Sequence, residues 1–435
     1  MTHSIKVLRL FLHLPSRERR AIGYLSRYGD ILRLSFDDDY VRDAARPLLS
    51  LAYRGATEDD TRAILGAARD ERVARSDGHW PVYFQNLLPE GHNRARLARE
   101  RGCSEDDEFE LLAAAGHDLL GAVEVAPVPS EQGTPDAILL WHTTLGLAPA
   151  PQRAVEVPVE DAASLPGLVT KFSAIKDGRR YVVRRKGAAG SYLIKLPSVA
   201  HPDLVDNELT GYRLAACLGL RCAEAERVAR ADVALPEAVE FPHVLVVKRF
   251  DRGDAGLRIH MEELSQALQY PPRQKYGVGL VQDGARVLRL LDQLSADPVG
   301  DVTEFVRRLV AFTLMGNTDA HWKNWALLYP DGRTPSLAPI YDPVCVAAWF
   351  AELPPPHYAV NRAVDATLRR FDYDALEALL KAAGILRSGR ILKVARETVA
   401  EARARWPQIL VDAPDNLRAS VEERLSGGVA LSRNA

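Results

Sequence analysis

Residues 316–324, GNTDAHWKN, constrain the fold of this chain more than any other stretch. They follow VTEFVRRLVAFTLM, whose apolar residues recur at helical spacing, and Gly316 with Asn317 are residue types that end a helix by tolerating left-handed backbone angles. WALLY, PDGRT and SLAPIYD come next and read as strand, turn and strand. A hairpin returns the chain close to its starting point, so Asp342 at its end is brought back to the loop that holds Asp319 and Asn324.

Asp319 and Asn324 are separated by four residues, the D-x-x-x-x-N spacing of a kinase catalytic loop. The aspartate must face the hydroxyl that attacks a γ-phosphate, while the asparagine oxygen must reach a magnesium ion on the same nucleotide. One Asp and one Asn could equally cap turns, and it is the third residue, Asp342, in the ordered hairpin that shifts the balance toward chemistry. Upstream, Lys195 lies in the alternating run YLIKLP, and Glu208 follows thirteen residues later at the start of a helical pattern. A strand lysine on the phosphates, positioned by a helix glutamate, is the ion-pair device of kinases, although two solvated surface charges would give the same pattern. HVLVVKRFDR reads either as a plain core strand or as a linker between lobes, with backbone groups of Lys248 and Phe250 facing adenine. His321 and Lys323 lie inside the loop candidate and would support it. No HxxxH or mixed Cys/His spacing suggests zinc.

At 435 residues the chain is too long for one ordinary core, and 47% hydrophobic against 26% charged residues is the balance of a globular protein. The four cysteines show neither a disulfide framework nor paired CxxC spacing. A net charge of -2 gives no general attraction to a polyanion, and no apolar run approaches membrane-spanning length, so a cytoplasmic location is expected. The first 60 residues predict a small sheet with a hairpin turn at Tyr28-Gly29-Asp30. TEDDTRAIL and SEDDEFELL each open on Thr or Ser followed three residues later by Asp, predicting capped helices. A proline-dense connector follows, with ILLWH as a possible strand. KFSAIKDGRRYVV, SYLIKLP and HVLVVK predict strands, the second half is mostly helical, and the last fourteen residues are expected to fray.

Taken together, YFQNLLPEG, FELLAAAGHDLLGAV, SLPG, IKLP, VVKRFDR, GNTDAHWKN and APIYD resemble, in order, the HipA family, kinase toxins of bacterial type II toxin-antitoxin pairs. The resemblance implies an α+β, two-lobed protein-kinase-like fold with an extra N-terminal α/β subdomain and a mostly helical C-terminal lobe. Its divisions would be an N-terminal subdomain over 1–130, a Pro-rich connector over 131–163, a kinase N-lobe with the nucleotide loop over 164–255 and a helical C-lobe over 256–435. It implies ATP and Mg2+ as cofactors, a protein substrate such as glutamyl-tRNA synthetase, and a HipB-like DNA-binding antitoxin, with DNA contacted only through that partner. By carry-over Asp319 is the catalytic base, Asn324 and Asp342 hold metal, Lys195, Glu208, Gly167, Lys248 and Phe250 serve ATP, and Ser164 is the autophosphorylated serine. SLPGLVTK departs from the family's usual glycine-rich segment, with Pro166 in place of Ala and Val169 in place of Gln. Two alternatives follow: a catalytically silent module that binds an antitoxin, and a kinase of small molecules.

Overall fold

The computed structural model describes residues 4–433 apart from 166–168, 184, 186–187, 236–239 and 354. The first sheet holds β1 (Ile5–His13), β2 (Arg19–Tyr28), β3 (Ile31–Phe36), β4 (Ala74–Arg75) and β5 (Val123–Pro127) in the order β4-β3-β2-β1-β5. Its pairs are all antiparallel, and the predicted turn joins β2 to β3 with Gly29 at φ 58°. Helices packed on the sheet bury Trp80, Tyr83, Phe84 and Phe109 completely. Each buried phenylalanine contributes roughly 1.5–3 kcal/mol.

Local expectations in this half hold unevenly. Thr57 and Asp60 form the predicted capping box at helix Glu58–Leu65. The second cap is displaced: Ser104 and Asp107 close a turn, and Asp107 itself caps helix Glu108–Ala114 by accepting from the Glu110 amide at 3.1 Å. ILLWH is not a strand but part of helix Asp136–Thr144, because Ile138 and Trp141, three residues apart, turn inward while Leu139 and Leu140 remain exposed.

The second sheet holds β6 (Lys171–Asp177), β7 (Arg180–Val182), β8 (Tyr192–Lys195), β9 (Ala225–Ala229), β10 (Val233–Ala234) and β11 (His243–Lys248), ordered β10-β7-β6-β8-β11-β9. Helix Leu204–Cys217 joins β8 to β9 and packs on this sheet through Val205 and Tyr212. A third sheet, β12 (His260–Glu263), β13 (Ala326–Tyr329) and β14 (Ser336–Leu337), contains the predicted hairpin, with Leu327 opposite Leu337. β12 is all but unreadable in sequence, since HMEE alternates no apolar residues yet is buried throughout.

Helices Leu280–Leu294, Pro298–Met315, Tyr373–Ala383 and Ser388–Leu410 build the largest core. The expected fraying of the C-terminus is corrected by the structure: Leu425, Val429 and Leu431 pack into that core, and Arg424, fully buried, is paired with Asp365. Among the described residues no helix is long and apolar enough to cross a membrane.

Candidate active site

Helix Pro298–Met315 ends on Gly316 at φ 73°, where a Cβ would lie 2.8 Å from Ala347 Cβ and 2.9 Å from Arg424 Nε. Only glycine allows the chain to turn there. The loop beyond is closed by its own backbone: the His321 amide donates to the Asp319 carbonyl and the Asn324 amide to the His321 carbonyl, each at 2.7 Å. Asn324 Nδ2 donates to the Asp319 carbonyl at 2.8 Å, which fixes the amide plane and leaves Oδ1 directed elsewhere.

The N-terminal unit supports this loop from beneath. Lys323 is buried, 2.9 Å from Glu90 Oε1 and 3.4 Å from Glu263 Oε2, and it donates to the Asn86 carbonyl at 3.2 Å. Its role is that of an anchor under the loop. His321 is also buried; burial, with Lys275 nearby, lowers its pKa to about 3, so it stands as a neutral imidazole. Its Nε2 lies 3.9 Å from Asp319 Oδ2.

Asp342 follows the hairpin at φ 58°, a left-handed conformation that costs a non-glycine residue about 1–3 kcal/mol when the surroundings impose it. Two contacts impose it here. Lys195 Nζ reaches Asp342 Oδ1 at 2.7 Å, and helix Leu204–Cys217 presses against the next residue, since a Cβ on Gly211 would sit 1.8 Å from the Pro343 carbonyl oxygen. Lys195 also donates to Glu208 Oε1 at 2.5 Å. The strand lysine and helix glutamate predicted from spacing thus form a buried pair and share it with the hairpin aspartate. Lys171 adds a second ammonium 3.5 Å from Asp342 Oδ2.

Burial alone would raise the Asp342 carboxyl, but Lys195 and Lys171 outweigh it and hold the group well below the usual carboxylate range. Glu208 moves the other way, pushed up to about 7 by burial with only partial relief from Lys195. Asp319 is raised as well, chiefly by burial, although 38% of its side chain stays accessible.

A mostly apolar cleft lies between the second sheet and the catalytic loop, and Lys195, Lys248, Phe250, His321, Asn324 and Asp342 all line it. Asp319 and Glu208 are not among the residues that line it, and Glu208 is bonded to Lys195. The amide of Lys248 donates to the Glu224 carbonyl at 2.8 Å, so that N–H is not available to a base. The Phe250 ring packs on Tyr341 at 5.6 Å between centroids. Ser164 is fully buried, with its hydroxyl donated to the Leu87 carbonyl and its amide donated to the Asp118 carbonyl at 3.1 Å. Gly167 and Pro166 lie outside the described residues.

The oxygens of Asn324 and Asp342 are hard donors on one cleft wall and fit a magnesium ion shared with nucleotide phosphates. Among the described residues no group of three or more His, Cys, Asp or Glu could hold a metal ion by itself. Replacing Asp342 by Ala is expected to weaken Mg-ATP binding at least tenfold while leaving metal-free ATP binding less affected. Titration with a fluorescent ATP analogue with and without magnesium checks this, and an unchanged magnesium dependence would remove Asp342 from the site.

Several neighbours carried no readable signal in the sequence. Tyr276 donates its hydroxyl to Asp319 Oδ1, and Asn361 Nδ2 reaches the same oxygen at 3.3 Å, from positions 43 and 42 residues away. Asp118 binds Arg185, Arg249 and Arg252 beneath the cleft, across as many as 134 residues of chain.

Residues 16–126 match the HipA N-terminal domain, and 163–406 match the HipA-like C-terminal domain. A putative kinase, Y4dM, of Sinorhizobium fredii is 34% identical over 86% of this chain and 85% of its own length. The serine/threonine-protein kinase toxin HipA of Shewanella oneidensis is 28% identical over 61% of this chain and 63% of its own. A solved structure of the Shewanella oneidensis HipA, HipB and operator DNA complex superposes with a TM-score of 0.65 at 19% identity, covering 98% of this chain and 97% of that one, which shows a common α+β kinase-like fold. With both family domains in order over most of its length, the chain belongs to the HipA family of kinase toxins.

Proposed function

We propose that this protein transfers the γ-phosphate of ATP, with magnesium, to a serine of a protein substrate. The observation that carries this reading is the buried Lys195, bonded at once to Glu208 and Asp342 on the wall of the cleft that Asn324 also lines. Lys195 would meet the phosphates, Glu208 would hold it in place, and Asn324 with Asp342 would hold magnesium, which neutralises phosphate charge when bound. Asp319 would accept the serine proton as the serine oxygen bonds to the γ-phosphorus and the bond to the β-phosphate oxygen breaks, releasing ADP. Leu165, Phe250 and Val247 offer the apolar wall that a purine needs.

The solved Shewanella complex contains HipB and operator DNA, and on that likeness a HipB-like antitoxin is the partner we propose, with DNA reached through it. An aminoacyl-tRNA synthetase such as glutamyl-tRNA synthetase is the substrate class we favour. Incubation with labelled ATP, magnesium and a cell lysate, followed by mapping of phosphoserines, should give labelled protein with wild type and at least about 10²-fold less with the Asp319→Asn variant. Nucleotide binding without any transfer would favour the silent, antitoxin-binding alternative.

Autophosphorylation of Ser164 is part of the same proposal. Its hydroxyl, bound to the Leu87 carbonyl in a fully buried position, cannot meet ATP where it stands, so the segment has to leave first. A phosphate brings about 1.5 to 2 negative charges that the Leu87 carbonyl and the Asp118 backbone could not accommodate, so the modified segment would stay out and the nucleotide site would weaken. After incubation with Mg-ATP, wild type is expected to gain a phosphate at Ser164 and lose ATP affinity, whereas Ser164→Ala keeps its affinity. Tight ATP binding by the phosphorylated form would sink the switch.

A further inference from the structure

Resting on the kinase reading above, we infer that Tyr276 and Asn361 are positioning residues for the catalytic base, holding Asp319 Oδ1 so that only Oδ2 faces the acceptor hydroxyl. The Tyr276 hydroxyl donates to Asp319 Oδ1. Asn361 Nδ2 sits 3.2 Å from the Tyr276 hydroxyl and 3.3 Å from both Asp319 Oδ1 and the Thr318 carbonyl. One carboxylate oxygen is thereby surrounded by donors from two separate elements, the loop after Gln274 and helix Ala359–Arg370. Oδ2 receives no hydrogen bond among the described residues, and its nearest ring nitrogen, His321 Nε2, is 3.9 Å away.

A tyrosine hydroxyl on a catalytic aspartate has a second interpretation, since it stands where an acceptor hydroxyl would stand and could block it. The packing decides between the two. Tyr276 is bound to the catalytic loop on both sides rather than laid across it. Before it, the Lys275 carbonyl accepts from the Trp322 amide at 2.9 Å. After it, the Val278 amide donates to Asp283 Oδ2 at 2.8 Å, and the same oxygen accepts from Trp322 Nε1 at 3.3 Å. The ring itself stands edge-on to His321 at 5.4 Å. A segment clamped to the loop moves with the loop, which suits a support and not a plug.

The test uses full-length protein with Mg-ATP and two acceptors, dephosphorylated casein and water, the latter read as ATP hydrolysis. Tyr276→Phe and Asn361→Ala are each expected to lower kcat about tenfold with KM for ATP unchanged, and to add no further loss in an Asp319→Asn background. Thermal melts and ATP affinity confirm that each variant folds. Faster turnover or a lower KM for casein in Tyr276→Phe would establish the blocking role and overturn the inference, and an unchanged kcat in both variants would overturn it as well. If wild type transfers phosphate to neither acceptor nor to itself, the kinase reading falls instead, and the two failures are told apart.

Discussion

Asp319→Asn is expected to leave ATP affinity within about twofold of wild type and to cut phosphoryl transfer by about 10² to 10⁴. The substitution keeps the size of the side chain and an oxygen at the position where Tyr276 and Asn361 donate, so the loop keeps its shape. What it removes is the ability to take a proton. Affinity should survive because Asp319 does not line the cleft proposed for the nucleotide, while Lys195, Asn324 and Asp342 do. Single-turnover transfer of label from ATP, set beside binding of a fluorescent ATP analogue, separates the two quantities. Equal transfer by wild type and variant would exclude Asp319 from the chemistry, and a parallel loss of affinity would show that it serves the nucleotide and not the acceptor.

The parts of the site legible in sequence are those in which local geometry dictates the outcome. Gly316 and Asn317 at a helix end, a fixed D-x-x-x-x-N spacing and a hairpin are short-range features, and the loop and Asp342 meet as that pattern requires. The Lys195–Glu208 spacing is a weaker signal, because a strand lysine and a helix glutamate thirteen residues apart can face anywhere. It becomes firm only once Gly211 lets the helix close on Pro343. ILLWH reads as a strand because a five-residue apolar run carries no period of its own, and only the burial of Ile138 and Trp141 shows which one it adopts. The C-terminal segment reads as frayed because small and polar residues surround Leu425, Val429, Leu431 and an arginine whose partner, Asp365, lies 59 residues earlier. Tyr276, Asn361 and Asp118 were out of reach for the same reason: each acts across a sequence separation that no local pattern encodes.

Asp118 carries the largest expected effect on stability. It is fully buried, and both its oxygens are used: Oδ1 accepts from Arg249 at 2.8 Å and Arg252 at 3.1 Å, and Oδ2 from Arg185 at 2.5 Å and Ser173 at 2.7 Å. Asp251 is the only other carboxylate bonded to this cluster among the described residues, taking Arg249 and Arg252 at 2.8 Å each. Three guanidinium groups therefore share two carboxylates, and Asp118→Asn leaves three positive charges against one in a place that water does not reach. Removing one partner of a buried pair costs about 3–5 kcal/mol, and this site has more than one pair to lose. The cluster joins the N-terminal unit to β6, to the loop before β8 and to the chain after β11, so the loss should appear as earlier unfolding of the whole molecule and not of one sheet. Burial would raise the Asp118 carboxyl, but Arg249, Arg252 and Arg185 outweigh it and hold it far below its ordinary value of about 3.9. A depressed carboxylate stabilises the fold fully above its unfolded-state value and loses that contribution as pH falls toward its folded-state value. Urea unfolding at pH 7 should show the full gap between wild type and Asp118→Asn, and the gap should narrow below about pH 4. Adding Arg185→Met to Asp118→Asn should recover part of the loss, because it removes one of the charges left without a partner. A stability equal to wild type at pH 7, or losses that simply add in the double variant, would show that the cluster does not act as one unit.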